Sequence, residues 1–199
     1  MLLLMRYRIA QRLMPLRAPL SCASMPDNPT TATEGFGEAP RRDSRALRSA
    51  LGQFATGVTV VTTCDRTGAF VGLTANSFGA LSLEPPLIVW SLRLSSANLA
   101  TFQHAERFVV NVLTDAQVDT SRLFASPTPD MFSLVPHAEN QHGLPFLHGA
   151  AAWFECRRIS QQAAGDHCLF IAEVEHFASS DSAPLLFHGG AYFTLGSRL

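Results

Sequence analysis

Three pairs of strand-like runs, each closed by a turn signal, limit the architectures open to this 199-residue chain. Val58–Cys64 (VTVVTTC) is β-branched almost throughout, and Asp65-Arg-Thr-Gly68 supplies the turn into Ala69–Thr74. Ala151–Gln161 pairs with His167–Ala178 across Gln162–Asp166, and Leu185–His188 with Ala191–Leu195 across Gly189–Gly190. β-Branched side chains suit a pleated, half-buried surface, and Gly and Asp supply the backbone of tight turns. Successive hairpins with few helices between them predict a mainly β chain: an antiparallel barrel with flanking helices, not a doubly wound sheet. No G-x-G-x-x-G follows a strand, which argues against a Rossmann dinucleotide site.

Helices punctuate this pattern. Asp43–Ala55 opens with capping residues and sets Leu47, Ala50, Leu51 and Phe54 on one stripe, predicting a helix of about three turns that Gly57 ends. Ser95–Glu106 reads as a second helix, capped by Ser95 or Ser96, with Leu99, Phe102 and Ala105 facing inward. Asp115–Ala125 reads as a third, burying Val118, Leu123 and Phe124. Strands are expected at Phe78–Leu83, Leu87–Leu92 and Arg107–Leu113, and Ser126–Gly149, with four prolines, reads as loop.

Composition narrows the chemistry. Hydrophobic residues make up 47% and charged residues 16%, enough for one domain with a real core. A net charge of −1 gives no electrostatic ground for a nucleic-acid partner. All 15 basic residues are arginine, so a Walker-type lysine or a Schiff-base lysine is excluded. Cys22, Cys64, Cys156 and Cys168 show no C-x-x-C spacing, which points to a reduced, cytoplasmic setting. His137, His142 and His148 have no carboxylate at ligand-like spacing, so no metal site is expected. Residues 1–40, Arg-rich at first and then rich in Pro, Thr and Gly, read as a disordered extension and linker before a domain over 41–199. The opening apolar run Met1–Met5 is too short to span a bilayer, so no membrane partner is expected.

The stretch Gly72–Asn98 carries the chemical signal. Thr74, Asn76 and Ser77 end one strand; Ser91, Ser95, Ser96 and Asn98 follow another that Pro85–Pro86 launch. Small hydroxyl and amide groups with free backbone N–H groups at strand ends suit a phosphate or a heterocycle carrying carbonyl and imide groups. Tyr192 and Trp153 read as core aromatics in preference to stacking groups, and Cys156 and Cys168 as buried packing residues.

Four motifs in order resemble the flavin reductase-like family, whose members adopt the FMN-binding split barrel. They are Phe54-Ala-Thr-Gly-Val-Thr-Val-Val-Thr, Gly72-Leu-Thr-Ala-Asn-Ser-Phe, the Pro-Pro strand ending at Ser91, and Gly165-Asp166-His167. The resemblance covers about residues 45–196 and implies an NAD(P)H:flavin oxidoreductase. It implies that Thr74, Ala75, Asn76 and Ser77 line the isoalloxazine edge and ribityl chain of FMN or FAD. Ser91, Leu92, Ser95, Ser96 and Asn98 would follow the ribityl chain toward its phosphate, with Arg93 the nearest basic residue. His167 would meet the reduced nicotinamide of NADH or NADPH, while Asp166 remains a turn residue. No catalytic acid, base or nucleophile is implied, since ring positioning suffices. The family further implies a homodimer that passes reduced flavin to a monooxygenase component. Two other readings stay open: a non-catalytic FMN- or haem-binding barrel, and a self-contained FMN oxidoreductase whose specificity lies in Ser126–Gly149.

Overall fold

The computed structural model describes residues 43–126 and 128–197; the expected extension over residues 1–40 lies outside them. Helix α1 (Ser44–Leu51) comes first, and the Asp43 carboxylate caps it by accepting from the amides of Arg45 and Ala46, at 2.9 Å each. It ends at Gly52, not Gly57, because Gln53 and Phe54 switch to i→i−3 bonds with Ala50 and Leu51 that unwind the last turn. Its apolar stripe lies open to water. Leu47, Leu51 and Phe54 are 55%, 66% and 79% exposed.

Strands β1 (Thr56–Gly57), β2 (Thr59–Cys64), β3 (Phe70–Ala75), β4 (Gly79–Leu83) and β5 (Pro86–Arg93) follow, and α2 (Leu99–His104) leads to β6 (Arg107–Val112). A 3₁₀ turn, Asp115–Gln117, runs into α3 (Val118–Phe124), and another, Met131–Leu134, precedes β7 (His137–Glu139) and β8 (Pro145–Leu147). Two long strands, β9 (Ala152–Ala164) and β10 (His167–Ser179), then precede the short pair β11 (Leu186–His188) and β12 (Ala191–Phe193). Ser126–Gly149 is therefore not wholly loop. Nor is α2 as long as expected: after β5, Ser96 N–H donates to the Arg93 carbonyl and Leu99 N–H to that of Ser96. These turns delay the helix to Leu99, and Asn98, not Ser95 or Ser96, stands at its N-cap without a side-chain bond. In α3 the fully buried side chains are Ser121 and Phe124, with Val118 and Leu123 half-buried.

Seven strands form one antiparallel sheet in the order β3-β2-β6-β9-β10-β5-β4. Its two edge strands, β3 and β4, are joined by Asn76, Ser77 and Phe78 alone. Laid flat, six strand spacings of about 4.8 Å would set these edges about 29 Å apart. The four peptide steps between Ala75 and Gly79 span about 14 Å at most. The sheet must curl until its edges meet, which makes the barrel. No ladder closes the seam among the described residues; Ser77, in the link, is tied instead to Ser91 of β5, continuing the β4–β5 register. Its hydroxyl donates to the Ser91 carbonyl at 2.9 Å and accepts from the Ser91 amide at 3.0 Å.

Strand β2 is buried on both faces, hence its continuous β-branched run. Val61 joins a cluster around Trp90, Phe102, Phe108 and Phe170, while its neighbour Val60 points to a second cluster with Leu113, Phe124 and Leu185. Trp90 stacks on Phe170 with ring centres 4.7 Å apart and meets Phe102 edge-on at 5.2 Å. The buried threonine hydroxyls of β2 each donate to a carbonyl: Thr59 to Ala75 at 2.6 Å, Thr62 to Pro145, and Thr63 to Arg107 at 2.9 Å. Buried Asn111 donates to the Val60 carbonyl at 3.0 Å and accepts from the Leu147 amide at 2.8 Å. Paired in this way, these polar groups escape the cost of unsatisfied burial.

Replacing Ser77 by alanine removes both bonds that tie the link to β5. At about 0.5–1.5 kcal/mol net per bond, Ser77→Ala is expected to lower unfolding free energy by about 1–3 kcal/mol in a urea titration. An unchanged midpoint would show that the link is held without them.

Candidate functional site

The barrel seam opens into a cavity of about 960 Å³. Thr74 and Ala75 reach it from the end of β3, Asn76 and Ser77 from the edge-to-edge link, and Ser91 and Leu92 from β5. Ser95, Ser96 and Asn98 reach it from the turns before α2, and His167 from the start of β10. All ten residues chosen from the sequence thus share one cavity wall. Arg93 lines it too, directly opposite His167 in the β5–β10 register.

Several predicted hydroxyls already serve the protein. Thr74 donates to the Ser121 carbonyl at 2.7 Å, and Ser77 is held by Ser91. Ser96 Oγ accepts from the Asn98 amide at 3.3 Å. These bonds fix the wall in place and leave oxygen lone pairs to accept from a ligand. The side-chain amides of Asn76 and Asn98 and the Ser95 hydroxyl have no protein hydrogen bond among the described residues, so both their donors and their acceptors face outward. Among the described residues, no carboxylate lines the cavity and Arg93 is its one guanidinium. Hydroxyls, amides and a single positive charge suit a phosphate-bearing heterocycle with carbonyl and N–H groups. The size also fits: small-molecule sites occupy about 300–1,000 Å³.

His167 is fixed by its neighbour. Its Nδ1 lies 2.7 Å from Asp166 Oδ1 in the β9–β10 turn, which Gly165 makes possible with φ of +61°. Asp166 is therefore more than a turn residue: the hydrogen bond from His167, with the attraction of its charge, holds the exposed carboxyl below its ordinary range. Pairing of this kind also sets which ring nitrogen stays free, here Nε2.

Sequence reasoning missed further residues of the lining. Ser121 and Phe124 come from α3, Met131 from the following turn, Phe187 from β11 and Tyr192 from β12. Tyr192 was expected in the core; it packs on the second cluster but also shows its ring to the cavity, with its hydroxyl 2.9 Å from Ser121 Oγ. Trp153 stays away from the cavity and packs on Phe146, ring centres 5.5 Å apart. Cys156 and Cys168 are buried as expected, and burial foremost, then the charge of Glu155, drives the Cys156 thiol far up. Gly72 is required here: a Cβ at that position would lie 2.6 Å from Phe124 Cε1.

The match to known proteins follows the same residues. A family model described as "Flavin reductase like domain" matches residues 51–196. The reductase component of a flavin-dependent trigonelline monooxygenase from Acinetobacter baylyi is 43% identical over 150 residues, covering 75% of this chain and 48% of that protein. The FMN reductase (NADH) SmoA of Agrobacterium fabrum is 41% identical over 150 residues, covering 75% of this chain and 85% of that protein. The crystallised Streptomyces globisporus NADH:FAD oxidoreductase SgcE6, in complex with NAD and FAD fragments, superposes with a TM-score of 0.77 at 31% identity. That match covers 81% of this chain and 98% of the other. The chain spans about half the length of the first curated relatives it matches.

Two outcomes test the geometry. Gly72→Ala forces the Phe124 ring away and should cost about 1–3 kcal/mol in stability by denaturant titration; wild-type stability would mean the ring relaxes freely. In His167→Ala the Asp166 carboxyl should return upward to the ordinary carboxylate range, read by carbon-13 NMR titration. Its pairing contribution is complete above that ordinary range and is lost as pH falls through the lowered value. An unmoved Asp166 titration would separate the two side chains.

Proposed function

The chain belongs to the flavin reductase-like family, and on that premise we propose that it reduces FMN or FAD with NADH or NADPH and releases the product. The carrying observation is the convergence of Thr74, Asn76, Ser77, Ser91, Ser95, Ser96, Asn98 and His167 on one cavity. The flavin supplies the two-electron acceptor chemistry, and the nicotinamide supplies the hydride. The protein's share is alignment. Asn76, Ser77 and the backbone of the β3–β4 link would meet the edge of the flavin ring, and Ser91, Ser95, Ser96 and Asn98 its polyol and phosphate, with Arg93 adding positive charge. His167, held by Asp166, would orient the nicotinamide through its free ring nitrogen. Phe187 and Tyr192 would narrow the opposite side and exclude water. Two rings stacked near ~3.5 Å with reacting atoms aligned need no acid–base pair.

Partner and assembly belong to the same proposal. Relatives named as monooxygenase reductase components support a flavin-dependent monooxygenase as recipient of the reduced flavin. The exposed stripe Leu47, Leu51 and Phe54 on α1 supports a homodimer, since a second copy would cover apolar surface that this chain leaves in water. A reduced, cytoplasmic setting is supported by three free cysteines, Cys64, Cys156 and Cys168. No helix among the described residues is long and apolar enough to cross a membrane.

The deciding experiment follows NADH and NADPH oxidation spectrophotometrically while FMN, then FAD, is titrated in. Saturable turnover that depends on free flavin is expected. A bound yellow chromophore without turnover would favour a flavin-holding barrel instead. His167→Ala should raise KM for the nicotinamide severalfold with much less effect on flavin affinity; unchanged nicotinamide kinetics would remove His167 from the site. Phe54→Asp should weaken self-association at least tenfold in sedimentation, and an unaltered dimer would place the interface elsewhere.

A further inference from the structure

A second pocket, of about 510 Å³, lies away from the cavity and is walled by Trp153 and Phe177. At its base the fold gathers His142, Glu155 and Glu175, one ligand atom of each lying within 4.8 Å of the others. Local spacing in the sequence could not show this, because the carboxylates come from β9 and β10 and the imidazole from the turn between β7 and β8.

Two observations set this cluster apart from an ordinary surface ion pair. Glu155 is 2% exposed, yet its Oε1 has no hydrogen-bond partner. His142 Nε2 sits 3.1 Å from that atom without the alignment of a hydrogen bond. A buried, unpartnered carboxylate oxygen is costly unless something else meets it. Second, the register between β9 and β10 slips between Val174 and His176, so Glu175 is the unpaired residue of a β-bulge. A bulge re-aims the side chain it carries, and here it brings Glu175 to Glu155.

Charge balance points to the ligand. Arg107 and Arg157 both donate to Glu175, and Arg157 also pairs with Glu173. Glu106, Glu173 and Glu175 thus share these two guanidiniums, with negative charge in excess, and among the described residues neither guanidinium pairs with Glu155. The same negative charge helps to push the Cys156 thiol up, through Glu155 and Glu175. Asn140 fixes the main chain of the turn that carries His142 by accepting from the backbone amides of His142 and Leu144, at 3.0 and 2.9 Å.

We propose that His142, Glu155 and Glu175 bind one divalent transition-metal cation, with the zinc ion as the natural probe. One imidazole and two carboxylates favour such a cation over magnesium, and three protein ligands leave a position for water. The site would clasp the β7–β8 turn onto the main sheet, remote from flavin chemistry.

The test is calorimetric titration of the full, chelator-treated protein with Zn²⁺, alongside thermal melting with and without the metal. Expected is one equivalent bound, a melting temperature raised by Zn²⁺, and at least tenfold weaker binding in both His142→Ala and Glu155→Gln. His142 is partly exposed, so its alanine variant keeps the fold even if Glu155→Gln does not. Absence of saturable binding, or binding that His142→Ala leaves intact, would overturn the proposal and reduce the cluster to an imidazole–carboxylate ion pair.

Discussion

A link of three residues dictates the architecture. Asn76, Ser77 and Phe78 connect strands at opposite edges of a seven-stranded sheet, so the sheet can form only by curling until those edges meet. Right-handed twist makes such curling natural, but the short tether makes it compulsory. The seam that results has no ladder of its own, and unpaired edges line a groove there. Two hydrogen bonds between Ser77 and Ser91 anchor the link to β5 at one end of that groove. The barrel is closed enough to enclose a core and open enough to admit a planar ligand.

The polar groups of the cavity are of two kinds. Thr74 and Ser77 spend their protons on main-chain carbonyls, so they act as struts with spare lone pairs. Asn76, Asn98 and Ser95 keep both donors and acceptors free. Struts of the first kind give the second kind a rigid frame, which is what positioning a ligand demands. The frame is supported from behind: Thr74 leans on α3 through Ser121, and Ser121 in turn meets the Tyr192 hydroxyl. Three elements far apart in sequence are thereby coupled at one wall.

Strand periodicity and turn residues made the hairpins legible, because both arise from interactions between near neighbours. The cavity residues of β3 and β5 were legible for a similar reason: they sit in one continuous stretch, Gly72–Asn98, with a composition unlike the core. Phe187, Tyr192, Ser121 and Phe124 were not, since their place in the lining depends on packing between segments far apart in sequence. The stripe on α1 was legible as one apolar face; periodicity reports such a face without saying what covers it. The turns at Ser95–Asn98 defeated the capping rule because two i→i−3 bonds compete with the first helical turn. The gathering of His142 with Glu155 and Glu175 was hidden for a different reason, a one-residue bulge that no pattern of hydropathy records.

The three threonines of β2 have a bearing on how the chain finds its fold. Each hydroxyl donates to a different partner: Ala75 in β3, Pro145 in β8 and Arg107 in β6. A valine-only strand would pack almost equally well one residue out of step, since any neighbour is apolar. With threonines at 59, 62 and 63, a slip of one residue turns every side chain to the other face and strands several hydroxyls in oil. The central strand therefore works as a key with three unequal teeth, accepting one alignment of its neighbours and rejecting the adjacent ones.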